Sequence, residues 1–317
     1  MRKKRLLIIG CGDVLQRALP WLTQRFKVYA TARNADKARQ LHTLGVTPIL
    51  ADLDQHPILQ RIAALADYLI HSAPPEQGHG DQRTRRLLAA LSTRNAHSAP
   101  ARRHKKPILA QRRLVYISTS GVYGDHSGAW INETSSQKAR NARALRRVDA
   151  EQQLRAWAKR QSFLNQHPTQ ICIARAPGIY ALDRLPTARI ARGEVGIVAS
   201  EDSVSNHIHA ADLAHAVCLA LFRGKAQRTY NIVDDVPGTM SEWFDQVADF
   251  TRLARVPKVS REQAQTLLSP TMLSYMNESR RIKNQRAKRE LRWSLKYPDT
   301  ATFFAQHQGQ YIATTKY

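Results

Sequence analysis

Near the start of the chain a Gly10-Cys11-Gly12-Asp13-Val14 segment has the residue types that bring backbone close to a charged ligand. In a strand-turn-helix setting the first glycine permits a tight turn, and the second lets the main chain approach a pyrophosphate. A third glycine is expected where Leu15 stands, so the pattern is incomplete and the packing of the following helix should be altered. Further on, Thr31-Ala32-Arg33-Asn34 offers a guanidinium, with Lys37 and Arg39 behind it, where an acidic residue would bind ribose hydroxyls. A guanidinium suits a 2′-phosphate because it donates two parallel hydrogen bonds. Ser118-Thr119-Ser120 and Tyr123 form a hydroxyl-bearing run, and Arg143 and Arg147 lie four apart, on one face of a helix. Those two arginines fit either a clamp for phosphate or carboxylate or a solvated basic face. His207, His209 and Asp212 cluster without a convincing third ligand, so no metal site is expected. A hydrolase triad is not expected either, because there is no G-x-S-x-G elbow.

The elements that would position these residues alternate. Leu6–Ile9 is a short apolar run of the kind covered on both faces of a parallel sheet. Strand patterns recur at Phe26–Thr31, Thr47–Leu50, Tyr68–His71, Leu114–Ser118 and Ile171–Ala174. Helical spacing lies between them at Asp13–Arg25, Ala35–Leu44, Ile58–Leu65, Arg83–Leu91 and Asp149–Arg160. Such alternation predicts an α/β, doubly wound parallel sheet of the Rossmann type. Asp52 and Leu53 follow the third strand, and Ser72, Ala73 and Pro74 follow the fourth, at the carboxyl ends where such sheets hold ligands. Thr93–Gln111, with Arg94, Arg102, Arg103, His104, Lys105 and Lys106, reads as an exposed basic loop. Beyond Pro237 the pattern turns mostly helical, at Ser241–Leu253, Arg261–Leu268 and Arg280–Arg292.

Composition narrows the classes. The 317 residues carry 49 Lys+Arg against 25 Asp+Glu, a formal charge of +24. That surplus points first to nucleic acid, but no helix-turn-helix, zinc-finger spacing or aromatic RNA-binding strand accompanies it. Dispersed charge attracts polyanions without reading sequence, and it would serve a phosphorylated small substrate equally. No apolar run is long enough for a membrane span. Cys11, Cys172 and Cys218 are isolated, which fits a reducing, cytoplasmic setting.

Ile117-Ser118-Thr119-Ser120-Gly121-Val122-Tyr123-Gly124 resembles the extended short-chain dehydrogenase/reductase superfamily, the NAD(P)-dependent sugar epimerase/dehydratase group. Asn132-Glu133-Thr134, Ala150-Glu151, Arg175-Ala176-Pro177-Gly178-Ile179-Tyr180, Asn206 through Ala214 and Tyr230-Asn231-Ile232 agree in order, so the likeness spans almost the whole chain. Glu278 through Asn284, with Glu290-Leu291 and Tyr297-Pro298, resembles an atypical bacterial branch of the group.

The resemblance implies NADP, or NAD, held by Gly10, Gly12, Asp13, Val14, Arg33, Asn34, Asp52, Leu53, Ser72, Ala73, Pro74, Ser118, Pro177 and Gly178. It implies a hydroxyl at Thr119 bonded to the reacting oxygen; the candidate substrate face is Ser120, Arg143, Arg147, Tyr180 and His209. The group's Tyr-Lys dyad is missing: in register, Arg143 and Arg147 replace it, and none of the ten tyrosines has Lys four residues on. Tyr123 or Tyr180 is then the substitute acid, although both types are also common in cores. Arginine cannot serve, since guanidinium stays protonated.

The expected organisation is a dinucleotide-binding region over 1–175, completed by about 205–235, and a smaller substrate region, mainly 176–204 and 236–317. The leading expectation is an NADP-preferring epimerase- or oxidoreductase-like protein with a nucleotide-sugar-like anionic substrate and a non-standard site. Its alternatives are an inactive dinucleotide sensor or assembly protein and a nonspecific nucleic-acid binder. A homodimer is compatible with any of these; a membrane partner or specific nucleic acid is not expected.

Overall fold

The fold is that of a computed structural model, which describes residues 3–55, 59, 62, 65–97, 112–163 and 169–310. Seven strands form one sheet: β1 (Lys4–Ile9), β2 (Phe26–Ala32), β3 (Thr47–Leu50), β4 (Tyr68–His71), β5 (Arg112–Thr119), β6 (Thr169–Ala176) and β7 (Arg228–Asn231). Their order is β7-β6-β5-β4-β1-β2-β3, and every neighbouring pair is parallel. The order reverses between β1 and β4, which opens a crevice beyond their carboxyl ends. The expected doubly wound α/β sheet is therefore present.

Alternate side chains explain why Leu6–Ile9 is apolar throughout. Leu6 and Ile8 face a core with Leu15, Leu22, Leu41 and Leu213, while Leu7 and Ile9 face another with Leu87, Leu91, Leu154 and Trp157. All four are fully buried, each contributing about 1.5–3 kcal/mol by removal from water. A third apolar cluster joins Tyr180, Ile190, Trp243, Phe244, Met276, Tyr297 and Phe303.

The helices are α1 (Asp13–Gln16), α2 (Leu19–Arg25), α3 (Ala35–Thr43), α4 (Gln82–His97), α5 (Ala142–Phe163), α6 (Thr187–Ala191), α7 (Ala210–Arg223), α8 (Met240–Thr251), α9 (Arg261–Leu267), α10 (Pro270–Met276), α11 (Gln285–Leu291) and α12 (Thr300–Gln306). Several differ from expectation. Asp13–Arg25 is two helices, because Pro20 lacks an N–H and its ring would clash with the carbonyl of Gln16 in a continuous one; Pro20 instead sits in the first turn of α2. Helix α4 runs to His97, so the expected basic loop begins later, and its residues 98–111 lie outside the described residues, as does most of the expected helix Ile58–Leu65. Arg280–Arg292 is not one helix: Arg281–Ile282 pairs in parallel with Trp130–Ile131, and α11 starts only after Asn284. Asn284 is held out of helical geometry by donating to the carbonyls of Val233 and Asp234. Leu15, which replaces the third glycine, is buried within the sheet-side core.

Candidate active site

The crevice begins at Gly10, whose φ of +85° is open to glycine at little cost. A Cβ there would lie 2.6 Å from the backbone nitrogen of Ala73, so the ends of β1 and β4 meet backbone to backbone. The Ser72 and Ala73 amides donate to the Ile9 carbonyl at 2.9 and 3.1 Å, and the Gly10 amide donates to Thr31 Oγ1 at 3.1 Å. Gly12 is different. Its φ is −83°, and an added Cβ would meet nothing within 4 Å. The backbone here borders open space, as a ligand cradle requires. Asp13 and Val14 continue from it into α1.

An acid-base quartet stands beside this turn. Arg17 donates to Asp13 at 2.9 Å and to Asp183 at 2.6 and 2.7 Å, while Arg184 donates to the other oxygen of Asp13 at 2.8 Å. It links the first helix to the segment after the short strand Gly178–Tyr180, which itself pairs with His207–His209. Pro177 and Gly178 lie just beyond β6, within that connection.

At the end of β2, Asn34 caps α3 by accepting from the Lys37 amide at 2.9 Å. Lys37 donates to Gln40, and Arg39 pairs with Asp36. Arg33 is exposed and has no hydrogen bond or ion pair among the described residues. Leu53 is buried, and the Asp52 carboxylate accepts from the Asp54 amide at 3.0 Å. The Pro74 carbonyl accepts from Arg83 at 3.0 Å.

Thr119 ends β5 and caps a single 3-10 turn, accepting from the Gly121 amide at 3.2 Å. Ser118 and Ser120 are buried. Ser118 donates to Glu151 at 2.6 Å, and Glu151 is paired with Arg175 through bonds of 3.0 and 2.6 Å. The Arg175 guanidinium lies 4.7 Å from the Tyr123 ring centroid. Tyr123 is fully buried and donates to Asn231 at 2.7 Å, and burial raises its pKa. Its phenol is thus engaged in a sealed network under the strand ends, not presented in the crevice.

Arg147 reaches the sheet, donating to the Tyr116 hydroxyl at 2.8 Å and the Ile117 carbonyl at 3.0 Å. Arg143 is exposed and stacks on Tyr275, with 4.2 Å between guanidinium carbon and ring centroid. The two arginines share a helix face but go to different partners. Tyr180 is buried among His209, Trp243 and Phe303, and its hydroxyl has no hydrogen-bond partner among the described residues. Burial, and then the carboxylates of Asp234, Asp212 and Asp299, raise its pKa far above the ordinary range.

His209 caps α7, its Nδ1 accepting from the Ala211 amide at 3.2 Å. Asp212 accepts from the Lys296 and Tyr297 amides at 2.8 and 3.0 Å, fastening α7 to the C-terminal region. Among the described residues no three His, Cys, Asp or Glu side chains are grouped to hold a metal.

Burial pushes His207 and His209 down to about 4, so both are neutral at pH 7. A depressed histidine contributes stability that is present above its unfolded pKa and is lost as pH falls through the folded value. Acidification from 6.5 toward 4 should therefore lower the melting temperature, with His207 accounting for about 3 kcal/mol at most. Thermal melts of His207→Phe across that range should slope less steeply than wild type; identical slopes would rule out this contribution.

Two groups were not visible in the motif reading. Tyr275 lies in a short helix capped by Ser269, whose Ser-Pro start marks a helix and not a functional residue. Buried His71 bonds Thr84 at 2.9 Å, and Thr84 donates to Asp81 at 2.7 Å; the strand pattern alone gave His71 no partner.

A seven-stranded parallel sheet of this order, opened at its switch point beside a glycine turn, defines a doubly wound α/β protein of the Rossmann type. More particularly, the chain belongs to the NAD dependent epimerase/dehydratase family, which it matches over residues 11–233. No curated protein matches it. Among solved structures, it is similar to a functionally unknown conserved protein from Silicibacter pomeroyi DSS, with 29% identity, coverage of 97% of this chain and 99% of that one, and TM-score 0.74. It shares the fold of the UDP-glucose 4-epimerase of Thermotoga maritima solved with UDP-glucose, at 16% identity, 97% and 98% coverage and TM-score 0.70. It also shares that of MoeE5 solved with UDP-glucose and NAD, at 17% identity, 96% and 99% coverage and TM-score 0.67.

Proposed function

We propose that the chain is an NADP-preferring epimerase or oxidoreductase acting on an anionic, nucleotide-sugar-like substrate. The observation that carries this reading is the cradle at the β1–β4 switch point: backbone packed to contact at Gly10, open at Gly12, with the exposed Arg33 at the end of the neighbouring strand. A bound dinucleotide would supply a two-electron acceptor for a carbinol carbon.

The chain's own residues then have separable roles. Gly10, Gly12, Asp13 and Val14 border the pyrophosphate, while Arg33 and Asn34 face the adenine ribose. Asp52 and Leu53 flank the base, and Ser72, Ala73 and Pro74, with Pro177 and Gly178, border the nicotinamide side. Thr119 donates its hydroxyl proton to the reacting oxygen. The Tyr123 and Ser118 hydroxyls act through the Asn231 and Glu151-Arg175 network to fix the end of β5. Arg143 faces the substrate's anionic part, whereas Arg147 and the buried Ser120, expected beside it, instead brace the end of β5; Tyr180 and His209 shape the floor. The substrate region is built mainly from 176–204 and 236–317. Three buried free thiols fit a reducing cytoplasm.

Two neighbours support the substrate class, since one was solved with UDP-glucose and the other with UDP-glucose and NAD. Replacement of the dyad by Arg143 and Arg147 favours, as a second reading, a sensor that binds dinucleotide without turnover. Nicotinamide absorbance on incubation with a nucleotide-sugar panel separates the two. For the cofactor, Arg33→Ala should weaken NADP about tenfold or more while changing NAD little, because a bidentate charged hydrogen bond is worth about 1.5–3 kcal/mol. Equal weakening of both, measured by calorimetry, would remove the 2′-phosphate role.

A further inference from the structure

Taking the proton of a carbinol requires an acceptor within hydrogen-bond reach. At the carboxyl edge of the sheet the obvious groups are engaged or sealed. Tyr123 donates to Asn231, Tyr180 is buried, His209 caps a helix through Nδ1, and His71 is fully buried against Thr84. Guanidinium groups accept nothing.

Tyr275 is placed differently. It is 40% exposed, and its ring lies 4.2 Å from the Arg143 guanidinium. Arg143 is level with Thr119. One turn along α5, Arg147 binds the Ile117 carbonyl; four helical residues rise about 6 Å, and the two strand residues from Ile117 to Thr119 rise about 6.6 Å. A Cβ placed on Gly121 would touch both Thr119 Oγ1 at 3.5 Å and Ala144 at 3.7 Å, confirming the level. The segment carrying Tyr275 is fastened there. Asn141 caps α5 by accepting from the Ala144 amide at 2.8 Å and donates to Glu278 at 3.0 Å, and Glu278 is paired with Arg280 at 2.8 Å.

We propose that Tyr275, brought by α10 against Arg143, is the proton-exchanging phenol of this site, reaching the substrate oxygen opposite Thr119. The inference rests on the dinucleotide-dependent reading above. In the oxidising direction the carbinol O–H breaks and its proton forms the phenol O–H of Tyr275. The carbonyl forms as the carbon-bound hydrogen leaves with its electron pair to the oxidised nicotinamide dinucleotide. The reverse step returns both. Arg143 acts as the cation that favours the phenolate. The charged groups acting on Arg143 are Glu278, which is paired with Arg280, and Arg147 and Arg146 on α5.

The test is a titration followed by 13Cζ-tyrosine NMR, with the Tyr275 signal assigned by its loss in Tyr275→Phe. The expected midpoint is about one unit below the ordinary phenol value near 10, returning upward in Arg143→Ala. On a nucleotide-sugar panel Tyr275→Phe should lose about 10²–10⁴ in turnover with unchanged dinucleotide affinity by calorimetry. A midpoint at or above 10 that ignores Arg143→Ala, or full turnover by Tyr275→Phe, overturns the assignment alone. Failure of the wild-type chain to bind any nicotinamide dinucleotide overturns the proposed function together with it.

Discussion

Replacing Glu151 by glutamine is expected to lower the unfolding free energy by about 3–5 kcal/mol, the cost of leaving one member of a buried ion pair without its partner. Side-chain exposure is 2% for Glu151 and 4% for Arg175. The carboxylate also accepts from Ser118 at 2.6 Å and Gln137 at 3.1 Å. It therefore joins α5, β5 and β6 with the segment before α5. Glutamine keeps the shape but removes the charge, and the Arg175 guanidinium remains buried beside the Tyr123 ring. Urea unfolding measures the loss. Substituting both partners, as Glu151→Leu with Arg175→Met, should recover much of it, because removing both charges also removes their desolvation cost. A loss below about 1 kcal/mol for Glu151→Gln would mean that water reaches the pair.

The parts of the fold legible in the sequence were those fixed by local pattern. Leu6–Ile9 is apolar at every position because both faces of β1 are covered, and the Gly10–Gly12 turn follows at once. The break at Pro20 was equally local, since proline cannot continue a helix, but the apolar spacing on either side of it masked the interruption. Residues whose meaning depends on distant partners were not legible. Tyr275 matters only through Arg143, and nothing near either residue in the chain announces the other. The strand Arg281–Ile282 forms because Trp130–Ile131 is available to pair with it, a partner that nothing in the basic run Arg280–Arg292 announces.

The +24 charge sharpens in the same way. Arg113 donates to the Leu221 and Phe222 carbonyls near the end of α7, and Arg223 donates to the Leu291 carbonyl at the end of α11. Such arginines satisfy helix-end carbonyls that lack internal donors. Part of the surplus is therefore structural, and Arg33 is one of several exposed cations that remain without a hydrogen bond or ion pair among the described residues.

Gly10 and Gly12 should respond to substitution in opposite ways. Gly10→Ala places a side chain on a backbone at φ +85° and against the main chain of Ala73 at 2.6 Å, so the fold itself should suffer. Gly12 has an ordinary φ and an open Cβ direction, so Gly12→Val should fold with nearly wild-type stability. Its side chain would nevertheless fill the space that the backbone leaves for a pyrophosphate, and dinucleotide affinity should fall on the order of 100-fold or more. This separation of stability from binding is what a preformed cradle predicts and what an ordinary glycine turn does not.

Calorimetry of NADP and NAD against the wild-type chain and Gly12→Val, each with its melting temperature, tests the central claim most directly. Binding by the wild type, tighter for NADP, together with its loss in a stably folded Gly12→Val, is the predicted result. No binding of either dinucleotide up to millimolar concentration, or equal affinity in the two proteins, would contradict it.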